Sequence, residues 1–269
     1  MSTATPRVDP SAFSAPLQEN PYESDRLLAE YLLFHFGAPS EVLPFDIGPV
    51  SALGYPVRCV SECLEASLLP AGARALDLGC AVGRSSFELA KVCSEVLGID
   101  YSQRFIGAAE EIRTRGVLSY QRTDEGALKT PLQAQLPEGV DPGRVRFEQG
   151  DAMALRDGLG RFDVVLMANL IDRLNHPLRC LERLGALVVP GGQLIVTSPY
   201  TWMQEYTPRE NWLGGFEIGG KRQSTLEGLQ LALAKDFELE RTKDLPFLIR
   251  EHVRKYQWSV AQASVWRRR

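Results

Sequence analysis

The residues best suited to ligand chemistry follow a short apolar run and begin at Asp77. Gly79 and Gly83 follow this acid, and the next residues have the composition of a helix. A strand that enters a glycine-containing turn and then a helix lets the backbone approach a ligand closely and leaves helix N–H groups free to bind it. The pattern therefore predicts a nucleotide-type binding loop.

This loop does not have the spacing of a dinucleotide-binding loop, which is G-x-G-x-x-G. When the positions are counted from Gly79, Ala81 and Arg84 stand where the second and third glycines should be. The sequence therefore disfavours an oxidoreductase that binds NAD.

Two more carboxylates follow apolar runs further along the chain. Asp100 ends the second run, and Asp151 comes shortly after the third. A carboxylate at the end of the second strand of such a fold can accept hydrogen bonds from both hydroxyls of a ribose. Asp100 therefore predicts a site for a ligand that carries a ribose.

Short apolar runs alternate with helical stretches through this part of the chain, and a β-α alternation favours a doubly wound, mostly parallel α/β sheet. Such a sheet is covered on both faces and has right-handed crossovers. The predicted strands are Arg74–Leu78, Val96–Ile99, Val145–Glu148, Asp163–Ala168 and Gln193–Thr197.

Other elements flank or interrupt the alternation. Three- and four-residue spacing of apolar side chains predicts an amphipathic helix over Glu23–Phe36, and a second helix is predicted over Val50–Leu69. A β-hairpin insertion and a closing strand pair are also predicted. Their strands are Val117–Thr123 with Leu128–Leu136, and Phe237–Leu245 with Tyr256–Trp266.

The division of the chain follows from these elements. Residues 1–20 lack any period and predict a disordered arm, and residues 21–269 predict a single domain. Tyr200–Lys221 is rich in Trp, Tyr, Pro and Gly, which is typical of a lid or binding loop. The predicted parts are a helical cap at 21–70, a cofactor-binding core at 72–198, a substrate loop at 199–224 and the rest of the sheet at 225–269.

Composition excludes several classes of protein. The 269 residues are 44% hydrophobic and 24% charged, as in ordinary globular proteins, and the formal net charge is −4. The mild acidity disfavours nucleic acid or a membrane surface as partner, and no run reaches the roughly 18–20 apolar residues of a membrane span. Five cysteines without a C-x-x-C pair and three scattered histidines predict neither a disulfide framework nor a metal site. We expect a cytoplasmic protein.

The segments around these acids resemble class I S-adenosylmethionine-dependent methyltransferases. Asp77, Gly79 and Gly83 are similar to the family's first motif, an acid followed by G-x-G-x-G, with Ala81 in place of the middle glycine. The resemblance implies a Rossmann-like, mostly parallel seven-stranded sheet, S-adenosylmethionine as cofactor, S-adenosylhomocysteine as product, and no metal. It implies cofactor-binding roles for Asp77, Gly79, Cys80, Ala81, Gly83, Asp100, Tyr101, Ser102, Gly150, Asp151, Ala152, Asn169 and Leu170.

A narrower resemblance lies mostly outside the cofactor half. Asn20–Gly37, Phe45–Val50 and Ser198–Gly215 are similar to the C-terminal methyltransferase domain of ovothiol synthases. In that family the domain methylates the imidazole of 5-thiohistidine (4-mercaptohistidine) to form ovothiol A. Those synthases also carry an iron-dependent sulfoxide synthase, for which this chain has neither the length nor the histidines. We therefore expect a stand-alone N-methyltransferase supplied by a separate sulfoxide synthase and lyase.

Methyl transfer from a sulfonium depends mainly on positioning, so the acceptor must be clamped by charged and aromatic groups. Asn169 follows the fourth predicted strand and faces the methyl group in the family fold. A general base is unnecessary if the ring presents an unprotonated nitrogen, and otherwise Asp172 or His176 could act as the base. Candidate substrate-binding residues are Tyr22, Asp46, Arg173, Tyr200, Trp202, Arg209, Asn211 and Trp212. Methylation of another small metabolite, or binding of an adenosyl ligand without catalysis, remain the alternatives.

Overall fold

The computed structural model describes residues 21–269, so the arm predicted at residues 1–20 lies outside the described residues. Its strands are β1 (Arg74–Leu78), β2 (Glu95–Asp100), β3 (Val117–Glu125), β4 (Leu128–Gln135), β5 (Val145–Gln149), β6 (Phe162–Ala168), β7 (Val188–Ser198), β8 (Phe216–Ile218), β9 (Lys221–Gln223), β10 (Phe237–His252) and β11 (Lys255–Arg268). Its α-helices are α1 (Asp25–Phe36), α2 (Pro39–Val42), α3 (Tyr55–Ser61), α4 (Arg84–Leu89), α5 (Gln103–Arg115), α6 (Pro177–Leu187) and α7 (Thr225–Leu233).

A seven-stranded sheet forms the centre of the fold, in the order β10-β11-β7-β6-β1-β2-β5. The pairs among β5, β2, β1, β6 and β7 are parallel, whereas β11 is antiparallel to both of its neighbours. The predicted doubly wound, mostly parallel sheet is therefore confirmed. The strand order reverses between β1 and β6, and this reversal opens a crevice at the carboxyl ends of the strands.

Strand β1 lies at the middle of the sheet and is buried on both faces. Ala75, Leu76 and Leu78 are fully buried, because helices cover the sheet on each side. Asp77 is also buried and pairs in register with Gly98 of β2 and Leu166 of β6. The carboxyl end of the central strand thus carries an acid beside the crevice.

Helix α1 packs over this edge of the sheet and confirms the helix predicted at Glu23–Phe36. Ser24 caps its first turn, where the side-chain oxygen accepts a hydrogen bond from the Leu27 N–H. A 3₁₀ turn at Pro21–Glu23 precedes it. Positions 31, 34 and 35 share one face of the helix because residues three and four apart are neighbours on a helix surface.

The single helix predicted over Val50–Leu69 is wrong. The segment contains a 3₁₀ turn at Val50–Ala52, the short helix α3, and a second 3₁₀ turn at Ala66–Leu68. Gly54 has a left-handed backbone with φ +64°, and Pro56 has no N–H to continue a helix from the preceding residues. The break places Tyr55 at the start of α3, where it is buried.

The remaining elements agree with the sequence in kind and differ in extent. Strands β3 and β4 form the predicted hairpin, and β10 and β11 form the predicted closing pair with greater length. The irregular segment after β7 contains a small hairpin, β8–β9, that the composition did not reveal. Within residues 21–269, no helix has the length and apolar character needed to cross a membrane.

Candidate functional site

A cavity of about 780 Å³ opens at the carboxyl edge of the sheet, where the strand order reverses. The loops that follow β1, β2, β5 and β6 form one side of it, and side chains from α1, α3 and the segment after β7 form the other. Among the predicted cofactor-binding residues, those that line the cavity are Asp77, Gly79, Cys80, Ala81, Asp100, Tyr101, Ser102, Gly150, Asp151, Ala152, Asn169 and Leu170.

The loop after β1 turns sharply against the end of β2. The N–H groups of Gly79 and Cys80 both donate to the Ile99 carbonyl, at 2.8 and 3.1 Å. Gly79 has φ +79°, and a Cβ at this position would meet the Leu170 side chain at 3.0 Å. Ala81 keeps a left-handed backbone with φ +47°, which costs roughly 1–2 kcal/mol for a residue with a Cβ. The turn is thus retained although the middle glycine of the motif is absent.

Gly83, which is also a predicted cofactor-binding residue, does not line the cavity. It precedes α4 with φ +87°, and a Cβ there would lie 2.5 Å from Phe147 Cζ. The glycine is therefore required for packing α4 against β5, and it affects the ligand loop only indirectly.

The carboxylate of Asp100 organises the ends of two loops. Its Oδ2 accepts a hydrogen bond from the Ala81 N–H and its Oδ1 accepts one from the Ser102 N–H, each at 2.9 Å. Burial raises the pKa of Asp100, and these two backbone donors act in the opposite direction. Each oxygen retains a further lone pair, so the carboxylate can accept two more hydrogen bonds from a diol.

Asp77 is the most deeply buried acid of the cavity, with 1% of its surface exposed. Its Oδ2 accepts a hydrogen bond from Ser86 Oγ at 2.6 Å. Its Oδ1 is buried and has no hydrogen-bond partner within residues 21–269. Burial raises the pKa of Asp77 to about 7, so a cationic donor beside Oδ1 would both satisfy the orphaned oxygen and favour the ionised carboxylate.

The loop after β5 brings a third acid to the cavity. Asp151 Oδ1 accepts a hydrogen bond from the Met153 N–H at 2.8 Å, which fixes the turn. The Gly150 N–H donates to the Asp100 carbonyl at 2.9 Å, and a Cβ on Gly150 would lie 2.9 Å from Ile99. The third acid is therefore held close to the end of β2.

Asn169 follows β6 in a left-handed conformation with φ +52°. Its Oδ1 accepts a hydrogen bond from the Tyr55 hydroxyl at 2.7 Å, and its N–H donates to the Thr197 carbonyl at 2.8 Å. The Tyr55 hydroxyl also lies 2.7 Å from Thr197 Oγ1. No hydrogen bond within the described chain engages Asn169 Nδ2, so this donor is available to a ligand. Tyr55 was absent from the predicted site because the broken helix that positions it was not foreseen.

Aromatic side chains form the wall of the cavity opposite the strand ends, and sequence reasoning missed most of them. The rings of Tyr31 and His35 stack with centroids 5.9 Å apart, and those of Phe34 and Tyr55 stack at the same distance. Tyr31 and His35 belong to the three- and four-residue spacing that predicts the first helix, and this spacing alone does not indicate contact with a ligand. The sequence signal that could have identified this wall is the occurrence of Tyr22, Tyr31 and His35 close together in one short segment.

Two side chains of opposite charge, Arg173 and Glu205, line the cavity beside Tyr206. Arg173 Nη1 donates to the Asp172 carboxylate at 2.9 Å and to the Thr201 carbonyl at 3.2 Å, and its guanidinium lies 4.9 Å from the Tyr206 ring centroid. Glu205 also lines the cavity and is exposed. An arginine and a free carboxylate around one opening can hold the two charged ends of an amino acid.

The N-terminal end of the described chain is fastened across the loop after β2. Ser102 Oγ donates to the Tyr22 carbonyl at 3.2 Å, and the Gln103 N–H donates to Glu23 Oε1 at 3.0 Å. Tyr22 lines the cavity, as predicted for a substrate-binding residue, and burial raises the pKa of its hydroxyl.

Neither predicted general base lies in the cavity. Asp172 is fully buried beneath it, and its Oδ2 accepts hydrogen bonds from Arg173 and from the Thr201 N–H. His176 precedes α6, with Nδ1 2.7 Å from Asn211 Nδ2. Asp172 therefore positions Arg173, and His176 joins the start of α6 to the segment after β7.

Most of the predicted substrate loop is structural. Trp202 Nε1 donates to Thr225 Oγ1, Trp212 Nε1 donates to the Thr207 carbonyl, and the two indoles stack at 6.2 Å. These contacts fasten the segment to α7, and only Glu205 and Tyr206 of the segment reach the cavity. The predicted substrate-binding residues that lie outside the cavity are Asp46, Tyr200, Trp202, Arg209, Asn211 and Trp212.

Comparison with known proteins identifies the segment that builds the strand-end side of the cavity. Residues 76–194 match a family described as "Methyltransferase domain". The chain is 29% identical over 127 residues to a ubiquinone biosynthesis O-methyltransferase of Azorhizobium caulinodans. The aligned region covers 47% of this chain and 40% of that protein. The chain is 27% identical over 150 residues to the protein of the same name from Xanthomonas axonopodis pv. citri, which covers 56% and 52%.

The chain therefore spans about half the length of the curated relatives it matches. A solved structure described as "Conversion of a Disulfide Bond into a Thioacetal Group during Echinomycin Biosynthesis" has a TM-score of 0.52 and 17% identity. It covers 91% of this chain and 93% of its own. At this identity the likeness shows the fold alone. Tyr22, Tyr31, His35, Tyr55 and Tyr206 all lie outside the matched family segment.

Proposed function

Because residues 76–194 match a methyltransferase-domain family, we propose that the protein methylates an imidazole nitrogen of 5-thiohistidine, with S-adenosylmethionine as methyl donor, to form ovothiol A. One observation carries the proposal. The cavity continues from the strand ends of the matched segment to an aromatic wall that lies outside that segment, and it is lined there by Arg173 and by Glu205, of which Glu205 also lies outside the segment. Tyr22, Tyr31 and His35 of that second half fall in Asn20–Gly37, the segment that resembles ovothiol synthases.

The residues at the strand ends fit the cofactor. The free lone pairs of Asp100 suit the ribose hydroxyls, and Asp151 suits the adenine amino group. The unpartnered Oδ1 of Asp77 suits the α-ammonium group. When bound, S-adenosylmethionine supplies an electrophilic methyl group, whose bond to sulfur breaks with its electron pair as the bond to the acceptor nitrogen forms.

The second half of the cavity fits an aromatic amino acid. Arg173 faces the cavity with a guanidinium for a carboxylate, and Glu205 offers a carboxylate for an ammonium group. The stacked rings of α1 suit a planar imidazole. Asn169 Nδ2, held by Tyr55, donates toward the space between the two halves. These groups act by orienting the ring nitrogen toward the methyl group, and such orientation supplies several kcal/mol of the barrier reduction.

The direct test is incubation of the purified protein with S-adenosylmethionine and 5-thiohistidine, followed by mass spectrometry. The expected result is the singly methylated product together with S-adenosylhomocysteine. Histidine tests whether the acceptor must carry sulfur, and a catechol tests O-methylation, the reaction that the relatives' name gives. Faster turnover of the catechol or of another small acceptor would replace 5-thiohistidine as substrate. Binding of S-adenosylhomocysteine without turnover of any acceptor would indicate an idle binding module.

Tyr55→Phe tests whether the orientation of Asn169 matters for catalysis. The substitution keeps the buried ring and removes the hydroxyl that lies 2.7 Å from Asn169 Oδ1. Loss of one hydrogen bond of about 1 kcal/mol, which also frees the amide to rotate, should lower kcat about 10-fold and leave the Kd of the cofactor within a factor of about 3.

The matched control for Tyr55→Phe is Tyr256→Phe. Its hydroxyl donates to the Val253 carbonyl at 2.9 Å in the turn between β10 and β11, and the residue is absent from the cavity lining. Steady-state kinetics and calorimetry on both variants make the comparison. An unchanged kcat in Tyr55→Phe would remove Asn169 orientation from the mechanism.

A further inference from the structure

His35 lines the cavity, and its imidazole forms no hydrogen bond within residues 21–269. Its Nδ1 is buried, so Nε2 is the ring nitrogen that a ligand can reach, and the backbone carbonyl of His35 accepts a hydrogen bond from Arg84 Nη1 at 3.4 Å. A buried polar atom that is left unpaired costs about 1–3 kcal/mol. A ring that retains its hydrogen-bonding capacity at the wall of a cavity is suited to contact a ligand.

His35 is neutral near pH 7. Burial lowers its pKa to about 3, and the neighbouring Arg84 guanidinium acts in the same direction. A neutral imidazole has one N–H donor and one lone-pair acceptor, so it suits a ligand N–H or ring nitrogen better than it suits an anion. An anion at this place would instead be attracted to Arg84.

The surroundings of His35 are aromatic and lead toward Asn169. Its ring stacks on Tyr31 at 5.9 Å and lies 5.4 Å from the Phe34 centroid. Phe34 stacks on Tyr55, whose hydroxyl holds Asn169. One continuous wall therefore joins the unpaired imidazole to the asparagine at the end of β6, and a planar ring can lie along it.

We propose that a ring nitrogen of His35 accepts a hydrogen bond from the imidazole N–H of the acceptor, and thereby selects which acceptor nitrogen is methylated. This inference rests on the proposed function. An imidazole whose N–H is held by His35 presents its other nitrogen, with the lone pair, on the opposite side of the ring. The new C–N bond forms at that second nitrogen, and the held nitrogen keeps its proton during the transfer. His35 is thus a substrate-contacting specificity residue.

The test compares wild type with His35→Phe and His35→Gln. Phenylalanine keeps the stacked ring and removes both nitrogens, whereas glutamine keeps a donor and an acceptor. Calorimetry with 5-thiohistidine in the presence of S-adenosylhomocysteine should show binding weakened about 10-fold or more in His35→Phe and partly restored in His35→Gln. The Kd of S-adenosylhomocysteine should stay within a factor of about 3 in both variants. NMR of the His35→Phe product should show a mixture of two singly methylated isomers, one for each ring nitrogen.

The control is His252→Phe at the end of β10, outside the cavity, which should match wild type in every measurement. Undiminished binding of 5-thiohistidine by His35→Phe with an unchanged methylation site would overturn the inference and leave the proposed function intact. An equal loss of S-adenosylhomocysteine affinity would assign His35 to the cofactor instead. Failure of the wild-type protein to bind 5-thiohistidine would overturn the proposed function itself. If His35→Phe does not fold, as judged by thermal unfolding, His35→Leu, which also removes both nitrogens, takes its place under the same criteria.

Discussion

Asp100→Ala should weaken the binding of S-adenosylmethionine about 100-fold or more. The carboxylate is placed to accept two hydrogen bonds from the ribose, and hydrogen bonds to charged groups are worth about 1.5–3 kcal/mol each. It also holds the N–H groups of Ala81 and Ser102, so its loss loosens both loops that face the ligand. Loss of about 2.7 kcal/mol corresponds to a 100-fold change in Kd, which isothermal titration calorimetry measures directly.

Two further variants make the result of Asp100→Ala specific. Asp100→Asn keeps an acceptor of the same shape and should lose less affinity than alanine. Asp157→Ala removes an exposed acid that lies 3.9 Å from Arg183 and should bind like wild type. Near-normal binding by Asp100→Ala would contradict the assignment of the ribose to the end of β2.

Asp77→Asn should stabilise the protein without ligand and weaken its binding of S-adenosylmethionine. The wild-type carboxyl has a folded-state pKa of about 7, well above its ordinary value, because burial disfavours the charge. The folded state therefore holds a proton that the unfolded state releases as the pH rises through about 4. This group's contribution to stability falls between about pH 4 and about pH 7 and is constant above that range. Asparagine does not titrate and so removes this loss of unfolding free energy. At about 1.4 kcal/mol for each unit by which the pKa is raised, the loss amounts to a few kcal/mol.

Urea unfolding of both unliganded proteins at about pH 5 and about pH 8 tests this expectation. The variant should exceed wild type in free energy of unfolding by more at the higher pH, because only wild type carries the Asp77 carboxyl, whose contribution to stability falls with pH. All other titrating groups are shared by the two proteins, so their effects cancel. Calorimetry should show the opposite order for ligand, with the Kd of the cofactor raised about 30-fold or more by loss of the charge opposite the α-ammonium. Wild-type affinity should also increase from about pH 6 to about pH 7.5, and the variant should show no such increase. A less stable variant that binds the cofactor normally would contradict both roles.

The opposite effects expected for Asp77→Asn describe a general property of this cavity. Within residues 21–269, Asp77 Oδ1, Asn169 Nδ2 and the His35 ring nitrogens have no hydrogen-bond partner, and all three residues line the same cavity. Such groups are costly in the empty protein and become favourable only when a ligand pairs with them. We therefore expect bound cofactor and acceptor to raise the stability of the protein in proportion to their concentrations relative to Kd.

The sequence by itself determined the sheet and its cofactor edge. Consecutive parallel strands end at the same edge of a doubly wound sheet, so the residues after β1, β2, β5 and β6 had to meet there. Asp77, Asp100 and Asp151 could therefore be assigned to one cavity from local pattern alone, as the structure confirms. The resemblance to class I methyltransferases implies cofactor contacts at these same three acids.

Only the tertiary structure decided which residues form the second half of the cavity. A Trp-rich segment with no period indicates a loop but not the surface on which it packs. Trp202 binds Thr225 of α7, Trp212 binds Thr207 within the segment, and neither residue lines the cavity. The face of α1 that carries Tyr31 and His35 has the spacing of a core helix, and local sequence cannot distinguish a packed core from the wall of a cavity. That distinction depends on which distant elements cover the helix, because burial is a property of the assembled chain.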